Sequence, residues 1–565
     1  MPSHHTPLHA AAAEIVAARV GVSPADLKVE TPRRTELGDL SVACHRLGKD
    51  AAKAAAEIAQ SFRPHGLLAS ATAAGPFVNF KVDRSAALAW LLDASKQKML
   101  VPRAVGEGQT ICIDYSSPNV SKHLAYHHIR STMIGHALVQ IFRALGYTVV
   151  GINHLGDWGT THGMLIVAYR RWGADEPLDV TKLNDLYVRF RSEAKTDPTL
   201  EPQARQAFKE LEDGVPETRA LWQRFRDISL AEYQAVYDRL GVVFDDVRGE
   251  SAYEGDVQRV LGDLESKNLI VESDGARVVQ LEDEKTPILL VTKDGTSLYA
   301  TRDVAAAEHR WNTYHPTRSL YVVDRGQALH FRQLFKLLGK MGYEWAHVCE
   351  HVPFGLVRFG GVKTGTRTGN VILLKDVLGE AEHDVRKLIA EQNPKLVGDQ
   401  LDQIAATVGT GAVVFANLAS QRDKDVEFDW AKVINLHGDS GPYIQYSHAR
   451  CASIQRNAPP DEGGEVDTSL LGHDAEWAVA RKLIDFPDTI VRASLNCEPH
   501  VICHYLLDLS AEFSRWYTMG NGDRSLRVLT EDAPVRRARL ALVAAVQRTL
   551  AEGLAMLGIG APDQM

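Results

Sequence analysis

The sequence predicts a multidomain α/β protein. A Rossmann-type central domain is preceded by a small α+β domain and followed by an all-α bundle. Three observations carry this reading. Between about 106 and 350, short apolar runs (111–114, 148–153, 288–292 and 319–323) alternate with helical patterns, the βαβ rhythm of a doubly wound sheet. Residues 1–105 set Ala-rich helical text at 10–18 and 50–62 around a strand-like stretch at 75–81. From about 430 to the end the text is helical throughout, with a long Ala/Leu/Arg segment at 534–557, as a separate bundle requires.

Bulk numbers bound the rest. A chain of 565 residues that is 45% hydrophobic can bury several cores. A formal charge of −9 excludes a global basic signature, so nucleic acid would bind through local patches. The six cysteines (Cys44, Cys112, Cys349, Cys451, Cys497, Cys503) lie far apart without a Cys-x-x-Cys pair. That argues against a zinc site or a disulfide framework and for a reducing cytoplasm. The start, Met-Pro-Ser-His-His, lacks the basic and apolar regions of a signal peptide, and no uninterrupted apolar stretch is read as long enough to span a bilayer. A cytoplasmic protein with no membrane contact is expected.

Within the central domain, the run Thr110-Ile-Cys-Ile-Asp114 reads as a buried strand, and a helical pattern covers 129–145. A strand that turns into a helix N-terminus is a phosphate-binding device, because free backbone N–H groups and the helix dipole face the anion. Asn153-His-Leu-Gly-Asp-Trp-Gly-Thr160 follows the next strand, where a second βα loop would line a cleft. Residues 174–285 are polar and helix-rich (202–215, 217–240) and read as insertions in the sheet. The Gly-rich basic string Lys363-Thr-Gly-Thr-Arg-Thr-Gly-Asn370 is by itself a weak signal, more often a plain turn; its position relative to the other motifs raises it to a candidate second phosphate loop.

The wording Ser117-Pro-Asn-Val-Ser-Lys122, followed by His128-Ile-Arg-Ser-Thr132, resembles the start of the catalytic domain of arginyl-tRNA synthetase, a class I aminoacyl-tRNA synthetase. That family usually carries His-x-Gly-His where this chain has Ala125-Tyr-His-His128. The first His becomes Ala125, the Gly becomes His127, and the last His is kept as His128. A one-residue slippage, with His127 or His123 standing in for the lost imidazole, is the alternative. The resemblance extends along the chain. Glu36-Leu-Gly-Asp-Leu40 with Gly75-Pro-Phe-Val-Asn-Phe80 is similar to the family's N-terminal add-on domain, which contacts the tRNA elbow. Gly438-Asp-Ser-Gly-Pro-Tyr-Ile-Gln-Tyr-Ser-His-Ala-Arg450 resembles the entry to its anticodon-binding bundle, and the ending 557–565 matches as well. The implied boundaries are 1–105, 106–429 and 430–565.

The resemblance implies an arginine–tRNA ligase using ATP with Mg2+ as co-substrate. Its partners would be L-arginine and tRNA, or another arginine acceptor, and a monomer is expected. It also implies residue roles. Asn119 and Gln327 would hold the α-amino and carboxylate end of arginine. Glu250, Tyr299 and Asp303 would hold the guanidinium, whose planar fork suits carboxylates and an aromatic face. Lys122, His128 and Arg367 would be catalytic. Lys122 is the lysine that substitutes for the one missing from the second loop. His127, Lys363, Thr366 and Gly369 would bind the nucleotide, and Ser117, His154 and Asp157 are further candidates. Two other readings stay open from the altered motif: a paralogue that passes arginine to a non-tRNA acceptor or uses charged tRNA, and a catalytically silent arginine- or tRNA-binding paralogue.

Overall fold

The computed structural model of the chain describes all residues except 1–3, 33, 174–176, 294–298, 360–361, 364–371, 437 and 461–462; the side chains of 35, 359, 362 and 363 are likewise outside the description. The chain divides into two units, Gly106–Ile434 with Met556–Ile559, and Met1–Val105 with Asn435–Ala555 and Gly560–Met565.

The first of these units holds the doubly wound sheet. Its elements are β1 (Thr110–Asp114), α1 (His128–Ala144), β2 (Thr148–Asn153), α2 (Pro216–Leu240), β3 (Asp246–Val247), α3 (Tyr299–Tyr314), β4 (Arg318–Asp324), α4 (Ala328–Lys340), β5 (Cys349–Phe354) and α5 (Gly398–Leu418). The strands run parallel in the order β5-β4-β1-β2-β3. Ile113 lies opposite Gly151 on one side and Leu320 on the other. The chain leaves β1 in one direction to β2 and β3, then returns to build β4 and β5 on the other side. The order therefore reverses between β1 and β4, and a crevice opens there at the carboxyl ends of the strands. Four of the five β1 residues are buried, as in a parallel strand covered on both faces.

Two sequence expectations change here. The run at 288–292 does not join this sheet: Ile288–Val291 is the edge of an antiparallel sheet with Ala276–Val279 and Val271–Ser273. A short apolar run cannot by itself tell one sheet from another. The stretch 174–285, read as interrupting the sheet, contributes β3 to its edge, two residues too short to show a period. One helix among the described residues bears on the expectation that no uninterrupted apolar stretch is long enough to span a bilayer, and its text is interrupted by Asp399 and Asp402. Helix α5 has the length and apolarity to do so, with a mean hydropathy of 1.2, although 67% of its most apolar window is buried inside the protein, as in a core helix.

The second unit contains an antiparallel sheet in the order Val29–Glu30, Leu40–Ala43, Phe77–Val82, Leu68–Ala74. Helices Pro7–Val20, Ala51–Ser61 and Arg84–Lys96 accompany it. Helices Gly441–Arg456, Asp474–Ile484, Phe486–Leu495, His500–Gly522 and most of Ala533–Met556 belong to the same unit. Arg84 reaches Asp474 at 2.8 Å, and the Trp477 indole donates to Asp39 at 3.3 Å. All six cysteines are free thiols.

Candidate active site

The loop from β1 to α1 is shaped by strain that neighbouring side chains hold in place. Ser116, Ser117 and Ser121 have φ of 68°, 48° and 69°. Each such non-glycine residue costs on the order of 1 kcal/mol or more. In each case the backbone N–H donates to a side-chain oxygen: Ser116 to Ser131 Oγ (2.9 Å), Ser117 to Asn153 Oδ1 (3.1 Å) and Ser121 to Ser229 Oγ (2.9 Å). The Tyr233 hydroxyl lies 2.7 Å from both the Asn119 and the Lys122 carbonyl oxygens. Helix α2, from the supposed insertion, therefore supplies two of the props, Ser229 and Tyr233. Its Tyr237 adds a hydroxyl contact to Ser116 at 2.8 Å. The Ser117 hydroxyl, a candidate from the sequence, donates to Asp114 at 2.7 Å. Asp114 also accepts from Arg310 at 2.7 Å, both side chains being buried, which ties the middle of α3 to the end of β1.

At the phosphate end, Ala125 is buried and pairs antiparallel with Leu373, just beyond the second loop. Tyr126 donates its N–H to the Ile372 carbonyl at 2.8 Å, and its hydroxyl accepts from Asn417 of α5 at 2.8 Å. His127 and His128 stand at the first turn of α1 with ring centroids 4.2 Å apart. Burial, with His127 beside it, pushes the His128 imidazole down to about 3, so it is neutral near pH 7. Of the two stand-ins considered for the lost imidazole, His123 is engaged by Glu232 at 2.6 Å. The Lys122 ammonium rests 5.2 Å from the Tyr187 ring centroid. Arg367, Thr366 and Gly369 lie outside the described residues, as does the side chain of Lys363.

The amino-acid end draws on the carboxyl ends of adjacent strands. Asn119 follows β1 and is exposed; Gly156 makes room for it, since a Cβ there would come within 2.1 Å of Asn119 Oδ1. Gln327 follows β4 and is exposed. Glu250 opens the seven-residue 3-10 helix after β3, while Tyr299 and Asp303 sit one turn apart at the start of α3. His154, after β2, approaches Asp303 at 3.9 Å. Two exposed amides thus follow β1 and β4, while two carboxylates and a half-exposed tyrosine stand after β3 and at the start of α3.

Sequence reasoning missed the partners of both carboxylates. Arg302 Nε donates to Glu250 at 3.1 Å, and its Nη1 lies 3.8 Å from Glu254. Burial raises the Glu250 carboxyl; Arg302 opposes this and the Asp303 charge adds to it. His330 Nε2 lies 2.8 Å from Asp303 Oδ2. Burial pushes Asp303 upward, but the His330 hydrogen bond and charge, helped by His154, bring it below its usual range. Both partners stand inside strings the sequence singled out, one residue from Asp303 and three from Gln327, so spacing was the available signal. Asp157 is corrected as a site candidate. It is fully buried and accepts from Arg226 Nε (3.1 Å), Ser251 N–H (2.9 Å) and Ser251 Oγ (2.9 Å). It locks the Glu250 loop from within the protein interior. Gly249 permits this, because a Cβ there would lie 2.2 Å from Asp157 Oδ2.

Comparison with known proteins fits this geometry. Residues 91–430 match the family described as tRNA synthetases class I (R), catalytic domain. Residues 444–565 match the DALR anticodon binding domain, and residues 6–82 the arginyl tRNA synthetase N terminal domain. The arginine–tRNA ligase of Exiguobacterium sp. is 42% identical over 564 residues, covering 98% of each chain. That of Clostridium botulinum is 40% identical over 550 residues, covering 95% of this chain and 96% of the other. The arginyl-tRNA synthetase structure from Thermus thermophilus superposes with a TM-score of 0.84 at 26% identity, covering 99% of this chain and all of the other.

Proposed function

The chain belongs to the arginyl-tRNA synthetases of class I, and from that membership we propose that it activates L-arginine with ATP and transfers the arginyl group to the 3′ end of tRNA. In the first step a carboxylate oxygen of arginine attacks the α-phosphorus and pyrophosphate leaves. In the second, a hydroxyl of the tRNA's terminal ribose attacks the activated carbonyl and AMP leaves. Neither step needs a covalent bond to the protein, so its contribution is positioning and charge stabilisation.

The observation that carries the reading is the carboxylate of Glu250, bonded to Arg302, with that of Asp303, the next residue along, and Tyr299 one turn before it at the start of α3. In this reading the guanidinium takes Asp303 and Glu250 as acceptors and lies against Tyr299. Asn119 and Gln327 receive the α-amino and carboxylate groups. The α1 first turn, with the neutral His128 and with His127, meets the triphosphate; Lys122 swings from Tyr187 to the leaving pyrophosphate; Lys363, Thr366 and Gly369 bind the nucleotide, and Arg367 takes part in the chemistry. Magnesium enters with ATP as part of the substrate. The free, widely spaced thiols favour a cytoplasmic setting, and a monomer suffices for every residue named.

Arginine-dependent exchange of pyrophosphate into ATP, followed by charging of tRNA with labelled arginine, tests the proposal. Both activities are expected. Exchange without charging would move the acceptor away from tRNA, and absence of both would leave a binding protein.

A further inference from the structure

We propose that His330 is the positioning residue for arginine recognition: one imidazole from α4 fixes both the Asp303 carboxylate and the Tyr299 ring, and thereby sets selectivity for a guanidinium. The proposal rests on the reading of Asp303 and Tyr299 as the guanidinium site. His330 Nε2 meets Asp303 Oδ2 at 2.8 Å, and the Tyr299 ring lies against the imidazole at 4.8 Å with an interplanar angle of 66°. Tyr299 and Asp303 are four residues apart, on one face of α3. A single side chain from another helix therefore sets the plane of the carboxylate and the tilt of the aromatic face together.

The need for such a device follows from the chemistry. A guanidinium is recognised by two parallel hydrogen bonds, so a carboxylate free to rotate loses most of the advantage over an ammonium, a point charge indifferent to plane. With Oδ2 engaged by His330, Asp303 keeps Oδ1 on the side of His154, 3.9 Å away. His330 is itself held. Phe331, the next residue, is mostly buried and stacks on His351 at 4.8 Å, and His351 bonds the Val323 carbonyl of β4 at 3.0 Å. Gln327 lies three residues before His330, on the turn that leads into α4. The same short segment would thus connect the α-carboxylate end of the bound amino acid to its guanidinium end.

His330→Phe keeps ring packing against Tyr299 and removes the donor. His330→Gln places an amide N–H near the Nε2 position. In arginine-dependent exchange, His330→Phe should raise the KM for arginine roughly 10- to 100-fold, the range expected for a hydrogen bond to a charged group, with kcat and the KM for ATP little changed. His330→Gln should recover most of that loss. His330→Asn, whose shorter amide misses the carboxylate, is a second loss variant should His330→Phe fold poorly. An unchanged arginine KM in both loss variants overturns the proposal, as does an equal fall of kcat and both KM effects in His330→Phe and His330→Gln. Asp303→Asn is measured alongside. If it leaves arginine KM unchanged, the pocket reading fails; if it raises KM while the His330 variants do not, only the positioning role fails.

Discussion

Substituting Asp157 by Asn tests whether the arginine pocket is held from behind. The exchange is nearly isosteric, yet it replaces a carboxylate oxygen by an NH2 group among donors. The side chain is wholly buried and receives three hydrogen bonds, two from Ser251 and one from Arg226. An amide can accept at one oxygen only, so one donor is left facing another, and Arg226, 22% exposed, loses its anion. Breaking a buried pair in this way costs about 3–5 kcal/mol. At roughly 2–4 °C per kcal/mol for a unit of this size, the melting midpoint should fall by on the order of 10 °C. Because Ser251 adjoins Glu250, calorimetry should also show weaker arginine binding, while ATP binding measured separately changes little. An Asp157→Asn protein with the wild-type midpoint and wild-type arginine affinity would refute the argument that this carboxylate anchors the Glu250 loop.

Lys122→Met keeps most of the stem and removes the charge; pyrophosphate exchange should fall about 10²- to 10³-fold with arginine affinity near wild type, and unchanged exchange would remove Lys122 from the chemistry. His127→Gly removes the imidazole that lies 4.2 Å from the His128 ring and that the proposal sets against the triphosphate; exchange at low ATP should fall by roughly tenfold, and a rise instead would mean that His127 crowds the nucleotide rather than binding it. Burial holds His136 and His162 down to about 4 each, so the folded protein keeps them neutral while the unfolded chain takes up protons below its ordinary value of 6.5. Their contribution is complete above that pH and is lost on acidification toward 4, up to about 2 kcal/mol per imidazole at pH 5. Urea midpoints at pH 7.5 and pH 5 should differ accordingly, and His162→Phe should shrink the difference; equal midpoints would contradict it.

The sequence by itself determined the parts whose signal is local. The strands Thr110–Asp114, Thr148–Asn153 and Arg318–Asp324 were legible because parallel strands buried on both faces are nearly continuous apolar runs. The motif strings around Asn119, Glu250, Asp303 and Gln327 stood out in the sequence through their resemblance to the family that the whole chain matches. Tertiary structure alone decided which charges face the cleft. Asp157 and Asp303 look alike as text, yet one is sealed behind Gly249 and Ser251 and the other stands beside His154 and His330. It also decided that helix Pro216–Leu240 braces the loop at Ser121 and Lys122, and that Arg302 and His330 partner the two pocket carboxylates. The physical reason is separation along the chain. Ser229 lies 108 residues from Ser121, and Arg302 lies 52 from Glu250. A hydrogen bond depends on distance and angle between two atoms, and across such separations no local pattern carries either.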